Sequence, residues 1–368
     1  MTTSESLRTA PDTGLPDYLA ALRRRIESAL HGILDSQVQF SASYGPLGQE
    51  MARNIRSYVL AGGKRIRGTL VLEGYRVITD EPAPDSVLPL AVAMELLHAF
   101  LLMHDDIIDQ DELRRGQPTF HERYRRQLSE TYPGRSVANV AEAMAIMAGD
   151  LLCGLAQDLL VELDVASERR RAVQHLFNRL IADTGYGEIL DVLGAIDPTQ
   201  DEASMLMMYR LKTARYSFEG PLLLGATVAG ASQPQHDALS AFGIPLGVAF
   251  QLQDDLIGMF GTEAAIGKPV GSDLKEGKRT PLMLHALAHT NGEQHTFLER
   301  TLGQASITGD DVCRVASILV ESGSRSYIEQ MADTLVNASL DALTHAPLPA
   351  AGRAFLAAYA RSQVGRNV

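Results

Sequence analysis

Residues 88–109 read LPLAVAMELLHAFLLMHDDIID, a nearly unbroken apolar run that ends in three aspartates. It has no apolar–polar alternation of period two, so a half-buried strand is excluded and an apolar helix ending in acidic residues is expected. Its most hydrophobic part, Pro89 to Met103, is about 15 residues long and contains Glu95 and His98, which predicts no membrane span, since crossing needs ~20 apolar residues. At ~100° per residue, Asp105 and Asp109 lie only about 40° apart, with Asp106 flanking them. Like charges at this spacing destabilise a helix, so helix stability does not account for the cluster. A cation held between the carboxylates does.

Apolar residues recur at three-to-four spacing through most of the chain. In Asp17–Leu34 they are Leu19, Leu22, Ile26, Leu30 and Ile33, with arginines on the other face. Further helical runs cover 138–162, 168–184, 202–229, 236–256, 279–290, 296–304, 309–321 and 325–345. Proline and glycine gather at the breaks, and alternating Val/Ile/Thr strands are almost absent. The expected fold is all-α, a single large bundle of about ten or more helices over 17–368, preceded by a disordered lead-in at 1–16. Pro245 is expected to kink its run or mark the start of a helix.

With 33 Lys and Arg against 45 Asp and Glu, the 368 residues carry a formal charge of −12. That balance argues against nucleic-acid binding, whose affinity comes largely from neutralising phosphates. Cys153 and Cys313 form no CxxC pair, and the N-terminus lacks an apolar signal core, so a cytoplasmic protein is expected.

A second acidic pair, Asp254–Asp255, ends another apolar run after Phe250-Gln-Leu-Gln. Two carboxylate clusters at helix ends suit Mg2+, which takes oxygen ligands and commonly shares its sphere with phosphates. Basic residues accompany them. Gly62-Gly-Lys-Arg-Ile-Arg-Gly offers close backbone approach to an anion together with Lys64, Arg65 and Arg67. Arg114 and Arg115 follow the first cluster, Lys212–Thr213 opens a helical KTARYS, and Lys268 through Thr280 follows the second pair. Bases beside each acidic helix end are what a polyphosphate bound through Mg2+ and direct contacts requires.

GGKRIRG, HDDIID with LRRGQPT, KTARYS, and FQLQDD with its downstream GKP and EGKRTPL occur in this order. Together they resemble the trans-isoprenyl diphosphate synthases, the polyprenyl synthetase family, over about 60–282. The resemblance implies a helical bundle around a central apolar channel and a homodimer. It implies that Asp105, Asp106 and Asp109 hold Mg2+ on an allylic diphosphate and that Asp254 and Asp255 hold a third ion, with Mn2+ as a substitute. Arg114, Lys212 and Lys268 match residues gripping the allylic diphosphate. Lys64, Arg67, His98 and Arg115 match the isopentenyl diphosphate pocket, and Thr213 and Gln251 match residues that steady the allylic cation. No Ser/His/Asp or Cys/His constellation competes with this chemistry.

Two positions depart from the family pattern. Gly258 stands where the second motif ends in Asp, a role Asp273 is a candidate to share, and Glu188 stands where Gln is usual. Phe100, five residues before Asp105 and so ~7.5 Å along the helix, matches the floor position that marks short products, with Leu97 about one turn deeper. The expected substrates are isopentenyl diphosphate and a C5–C15 allylic diphosphate, and the expected product is C20, or C15. A terpene cyclase and a non-catalytic partner subunit are the alternatives; Lys64, Arg67, His98 and Arg115 disfavour the first, and the intact aspartates with Arg114 disfavour the second.

Overall fold

Helix α4 (Leu88–Ile108) carries apolar side chains around its whole circumference, and a helix of that kind must be enclosed. In the computed structural model of the chain, which describes residues 14–114, 116–197, 199–262, 270–304 and 306–364, it is: Leu90, Val92, Met94, Leu96 and Leu97 have no exposed surface. The described residues form two compact units, one of residues 14–175 with Pro221–Ala231, the other of Leu176–Gly220 with 232–364.

In the first unit, α1 (Leu15–Phe40), α3 (Ile66–Thr79), α5 (Phe120–Thr131) and α6 (Ala138–Val161) pack on α4, while α2 (Gly45–Val59) packs on α1. Helix α1 buries Leu22, Ile26, Leu30 and Leu34 at a spacing of four and begins two residues ahead of its amphipathic pattern, with Pro16 in its first turn. Helix α3 meets the segment around Leu222 backbone to backbone. A Cβ on Gly74 would lie 2.2 Å from the Leu222 carbonyl oxygen, so only glycine fits that crossing. Helices α4 and α6 are each long and apolar enough, by length and composition, to cross a membrane, which corrects the shorter reading of 89–103. Most of the apolar window of α4, 61%, is buried inside the structure, as expected of a core helix.

The second unit takes in the later part of α7 (Ser167–Gly194), α8 (Glu202–Tyr209), a π-helical segment (Arg210–Glu219), α10 (Gln233–Phe260), α11 (Ser272–Glu276), α12 (Pro281–His289), α13 (Gly292–Thr301), α14 (Gly309–Glu321), α15 (Ser324–Thr344) and α16 (Ala350–Val364). Helix α9 (Gly220–Ala229) follows the π-helical segment directly. Helix α10 opens on a capping box between Ser232 and Gln235, continues through Pro245, and packs on the π-helical segment and α15. Pro245 therefore marks no helix start. Leu252, Leu256, Leu298, Val315, Leu319 and Ile328 form the core.

The fold class is all-α, as the periodicity predicts. Among the described residues the sheet content is one antiparallel pair, Leu113–Arg114 (β1) with Gln117–Pro118 (β2). The run 202–229 is helical throughout, but its centre is wound as a π-helix, which the apolar spacing does not reveal.

Candidate active site

The first cluster lies at the end of α4. Asp105 and Asp109 are half-buried there, and Asp109 caps the helix. Asp106 turns inward and has no exposed surface; it accepts from the Tyr58 hydroxyl at 3.0 Å and from Arg114 Nε. The same guanidinium reaches Asp105 and Asp111, each at 3.2 Å. Strands β1 and β2 place it there, because Arg114 pairs with Gln117 across a tight hairpin whose Gly116 has φ +71°. Burial pushes the Asp106 carboxyl up to about 6, while Arg114 and Tyr58 pull the other way.

The glycine-rich turn precedes α3, with Gly62 and Gly63 at φ +99° and +140°. Its basic residues divide. Lys64 is exposed and Arg67 half-buried, whereas Arg65 is buried, donates to the Val59 carbonyl at 2.9 Å, and lies 3.6 Å from Glu95. Glu95 also accepts from the Gly68 backbone at 2.8 Å. Arg65 thus ties the turn to α4, which corrects the expectation that all three bases face an anion. Beside it, Arg65, His98, Arg114 and Arg123 line a cavity of about 40 Å3 together with Tyr58 and Gln117. His98 and Arg114 are therefore brought together; Arg115 lies outside the described residues.

In the second unit, the π-helical segment is pressed between helices. A Cβ on Gly247 would lie 2.4 Å from the Ala214 Cα, and one on Gly187 would lie 2.6 Å from the Lys212 nitrogen. This close approach aligns a hydrogen-bonded chain: Thr213 donates to Gln251 at 2.9 Å, Gln251 to Asp255 at 3.2 Å, and Tyr209 to Asp255 at 2.5 Å. Asp255 is buried, and its carboxyl is raised by that burial and by the charge of Asp273. Asp254, next to it, is half-buried. Lys212 lies 2.8 Å from Glu188 and 2.6 Å from Asp191, and Lys278 lies 2.6 Å from Glu276 and 3.8 Å from Asp191. Lys268 is outside the described residues.

Sequence reasoning brings out Thr213 with Gln251 and Arg114 with the first cluster. It misses Tyr58, Asp111 and Tyr209, isolated residues with no motif to mark them. Lys278 lies in the basic EGKRTPL string that follows the second acidic pair, and that string was its signal.

Both clusters consist of carboxylate oxygens, hard donors of the kind Mg2+ takes. Among the described residues no three His, Cys, Asp or Glu groups already converge on one point. In the first cluster Arg114 fills the centre, and this internal cation stands where the carboxylates require positive charge. The donor set fits the ion.

Glu188 competes for Lys212 with any incoming anion. Exchanging it for Gln removes one of two carboxylates from a partly exposed lysine, an interaction of ~0.5–1 kcal/mol. Glu188→Gln is therefore expected to tighten the binding of inorganic pyrophosphate about two- to fivefold, leaving Asp191 as the carboxylate on the lysine. Calorimetric titration of pyrophosphate into both proteins provides the check, and unchanged or weaker binding contradicts the assignment.

The family model for polyprenyl synthetases matches residues 49–319. The chain is 32% identical over 265 residues to the short chain isoprenyl diphosphate synthase of Methanocaldococcus jannaschii, covering 72% of this chain and 74% of that one. It is also 32% identical over 292 residues to the geranylfarnesyl diphosphate synthase of Aeropyrum pernix, covering 78% and 85%. A similar solved structure is a geranylgeranyl pyrophosphate synthase from Corynebacterium glutamicum complexed with isoprenyl diphosphate and magnesium. It aligns with a TM-score of 0.89 at 30% identity, over 94% of this chain and 99% of that one.

Proposed function

The chain belongs to the polyprenyl synthetase family, and from that membership we propose a cytoplasmic short-chain prenyl diphosphate synthase that joins isopentenyl diphosphate head to tail to a C5–C15 allylic diphosphate. The product is C20, or C15. The observation that carries this reading is Arg114, held among Asp105, Asp106 and Asp111 at the edge of a cavity lined by His98 and Arg65. A site so arranged offers carboxylates to cations and guanidinium groups to phosphates.

Asp105, Asp106, Asp109, Asp254 and Asp255 would hold Mg2+, three ions with Mn2+ as substitute, which would neutralise charge on the departing diphosphate. Arg114, Lys212 and Lys268 grip that diphosphate, and their fixed positive charge is worth most where negative charge grows as the allylic C–O bond breaks. Thr213 and Gln251, already bonded to each other, present oxygen dipoles to the allylic cation. Lys64, Arg67, His98 and Arg115 hold isopentenyl diphosphate so that its double bond meets the cation. A carbon–carbon bond forms and a proton is lost to the released diphosphate, so no protein base is needed.

Residues 17–368 act as one catalytic domain in a homodimer. Apolar side chains left exposed on one face of α6, Val140, Met147 and Leu151, support an interface there. The test is incubation of the purified protein with Mg2+, isopentenyl diphosphate and each of the C5, C10 and C15 allylic diphosphates, with products identified by mass. Extended prenyl diphosphates are expected. Hydrocarbons from the allylic substrate alone indicate a cyclase, and absence of turnover indicates a non-catalytic subunit; either outcome overturns the reading.

A further inference from the structure

Helix α5 brings to the cavity beside the first cluster a residue that the family resemblance assigns to no substrate. Arg123, half-buried, lines that cavity with Arg65, His98 and Arg114. The first turn of α5 is fixed from two sides. Its capping residue Thr119 donates from its hydroxyl to the Asp111 carbonyl at 2.8 Å, just ahead of the hairpin that carries Arg114. Tyr124, next to Arg123, accepts from Asn54 of α2 at 2.8 Å, and the Phe120 ring meets Tyr58 edge-on at 5.7 Å. Arg123 therefore starts from a backbone position set by both α2 and the hairpin.

The charges of the cavity are unequally matched. Arg114 has three aspartates, and Arg65 lies 3.8 Å from Glu27 and 3.6 Å from Glu95. Along α5, Arg125 and Arg126 share Glu122. No carboxylate among the described residues pairs with Arg123. A half-buried guanidinium without a counter-ion carries a desolvation cost that a bound anion offsets. Glu95, the acidic residue of the lining, is taken by Arg65 and by the Gly68 nitrogen, so the cavity presents no open carboxylate to a metal ion. Its volume of about 40 Å3 gives room for roughly three waters or one phosphoryl group. Such a cavity suits an anion held by direct contact.

We propose that Arg123 binds the diphosphate of isopentenyl diphosphate, the substrate that the resemblance places apart from the Mg2+ clusters, and that α5 thereby sets the affinity of this chain for it. The proposal rests on the diphosphate-synthase reading. A planar guanidinium forks two N–H groups onto phosphate oxygens, which the point charge of a lysine does not.

Calorimetric titration of isopentenyl diphosphate into the full-length protein without divalent cation provides the test, beside steady-state kinetics with Mg2+ and thermal melting. Arg123→Gln is expected to weaken binding ~10-fold or more, the worth of a hydrogen bond to a charged group. KM for isopentenyl diphosphate should rise in parallel, and KM for the allylic diphosphate should stay within about twofold. Arg123→Lys keeps the charge without the fork and should fall between Arg123→Gln and the wild type. Arg125→Gln, on the exposed side of the same helix, should bind as the wild type does. Binding by Arg123→Gln within about twofold of the wild type overturns the proposal. An equal rise in KM for both substrates overturns it too, since a general loss of structure at α5 produces that result. If Arg123→Gln does not fold, Arg123→Lys decides: weaker binding supports the contact and unchanged binding refutes it. A wild-type protein that binds and condenses isopentenyl diphosphate whatever stands at 123 removes this residue alone. One that does neither removes the functional reading, and the proposal with it.

Discussion

Asp106→Asn is expected to lower kcat for condensation ~10³-fold, comparable with removing a preorganised group that stabilises transition-state charge. The side chain keeps its size, so packing at the end of α4 is retained. What changes is the charge between Tyr58 and Arg114. The Asn oxygen can still accept from Arg114 while its amide nitrogen donates to the Tyr58 oxygen, so Arg114 keeps an acceptor there but loses its innermost negative charge and retains the charges of Asp105 and Asp111. Removing one member of a buried pair costs ~3–5 kcal/mol at full burial. The two remaining carboxylates and the partial exposure of Arg114 should hold the measured loss to ~1–3 kcal/mol. Tyr58→Phe is the graded comparison, since it deletes one hydrogen bond to the carboxylate and leaves the charge; a loss of ~10-fold in kcat is expected. Single-turnover kinetics and thermal melting on the same samples separate the two effects. Turnover by Asp106→Asn within tenfold of the wild type would show that Asp106 has no part in handling charge.

How far the sequence carries such an argument depends on where each residue's partners lie. Helix α4 was legible because its apolar circumference is continuous, and burial follows from that alone. Arg65 was not. It shares a short basic string with Lys64 and Arg67, and the Val59 carbonyl with Glu27 and with Glu95, on the buried α4, turns it inward. The π-helical winding at Lys212 and Thr213 was hidden for a related reason. It accompanies close backbone approach at Gly187 and Gly247, glycines distant in sequence whose role no local pattern displays. The inward turn of Asp106 belongs with these: helical geometry put it beside Asp105 and Asp109, but Tyr58 and the hairpin decide which way it faces. Residue types and order conveyed the chemistry. Distances between elements settled which charges are structural.

Phe100→Ala is expected to shift the product towards longer chains by one or two five-carbon units. Phe100 lies five residues before Asp105, ~7.5 Å up the axis of α4, and we propose that a prenyl chain growing along that helix from a diphosphate held at the cluster meets its ring. The ring is fixed. It sits edge-on to His104 with centroids 4.7 Å apart, and Gly149 of α6 faces it closely enough that a Cβ there would lie 3.2 Å from the ring. A side chain held from two directions acts as a stop; a loose one would swing aside for the growing chain. Truncation opens the path down to Leu97, one turn deeper and fully buried, which becomes the next barrier. Phe100→Ala combined with Leu97→Ala should therefore lengthen the product further, whereas Leu97→Ala alone should change little while the ring stands above it. Because Phe100 is only half-buried, its truncation should cost less than the ~3–5 kcal/mol of a fully enclosed phenylalanine, so the variant should remain folded. Product masses after exhaustive reaction with excess isopentenyl diphosphate decide the matter. An unchanged distribution in Phe100→Ala removes the ring as the floor, and lengthening by Leu97→Ala alone reverses the order of the two barriers.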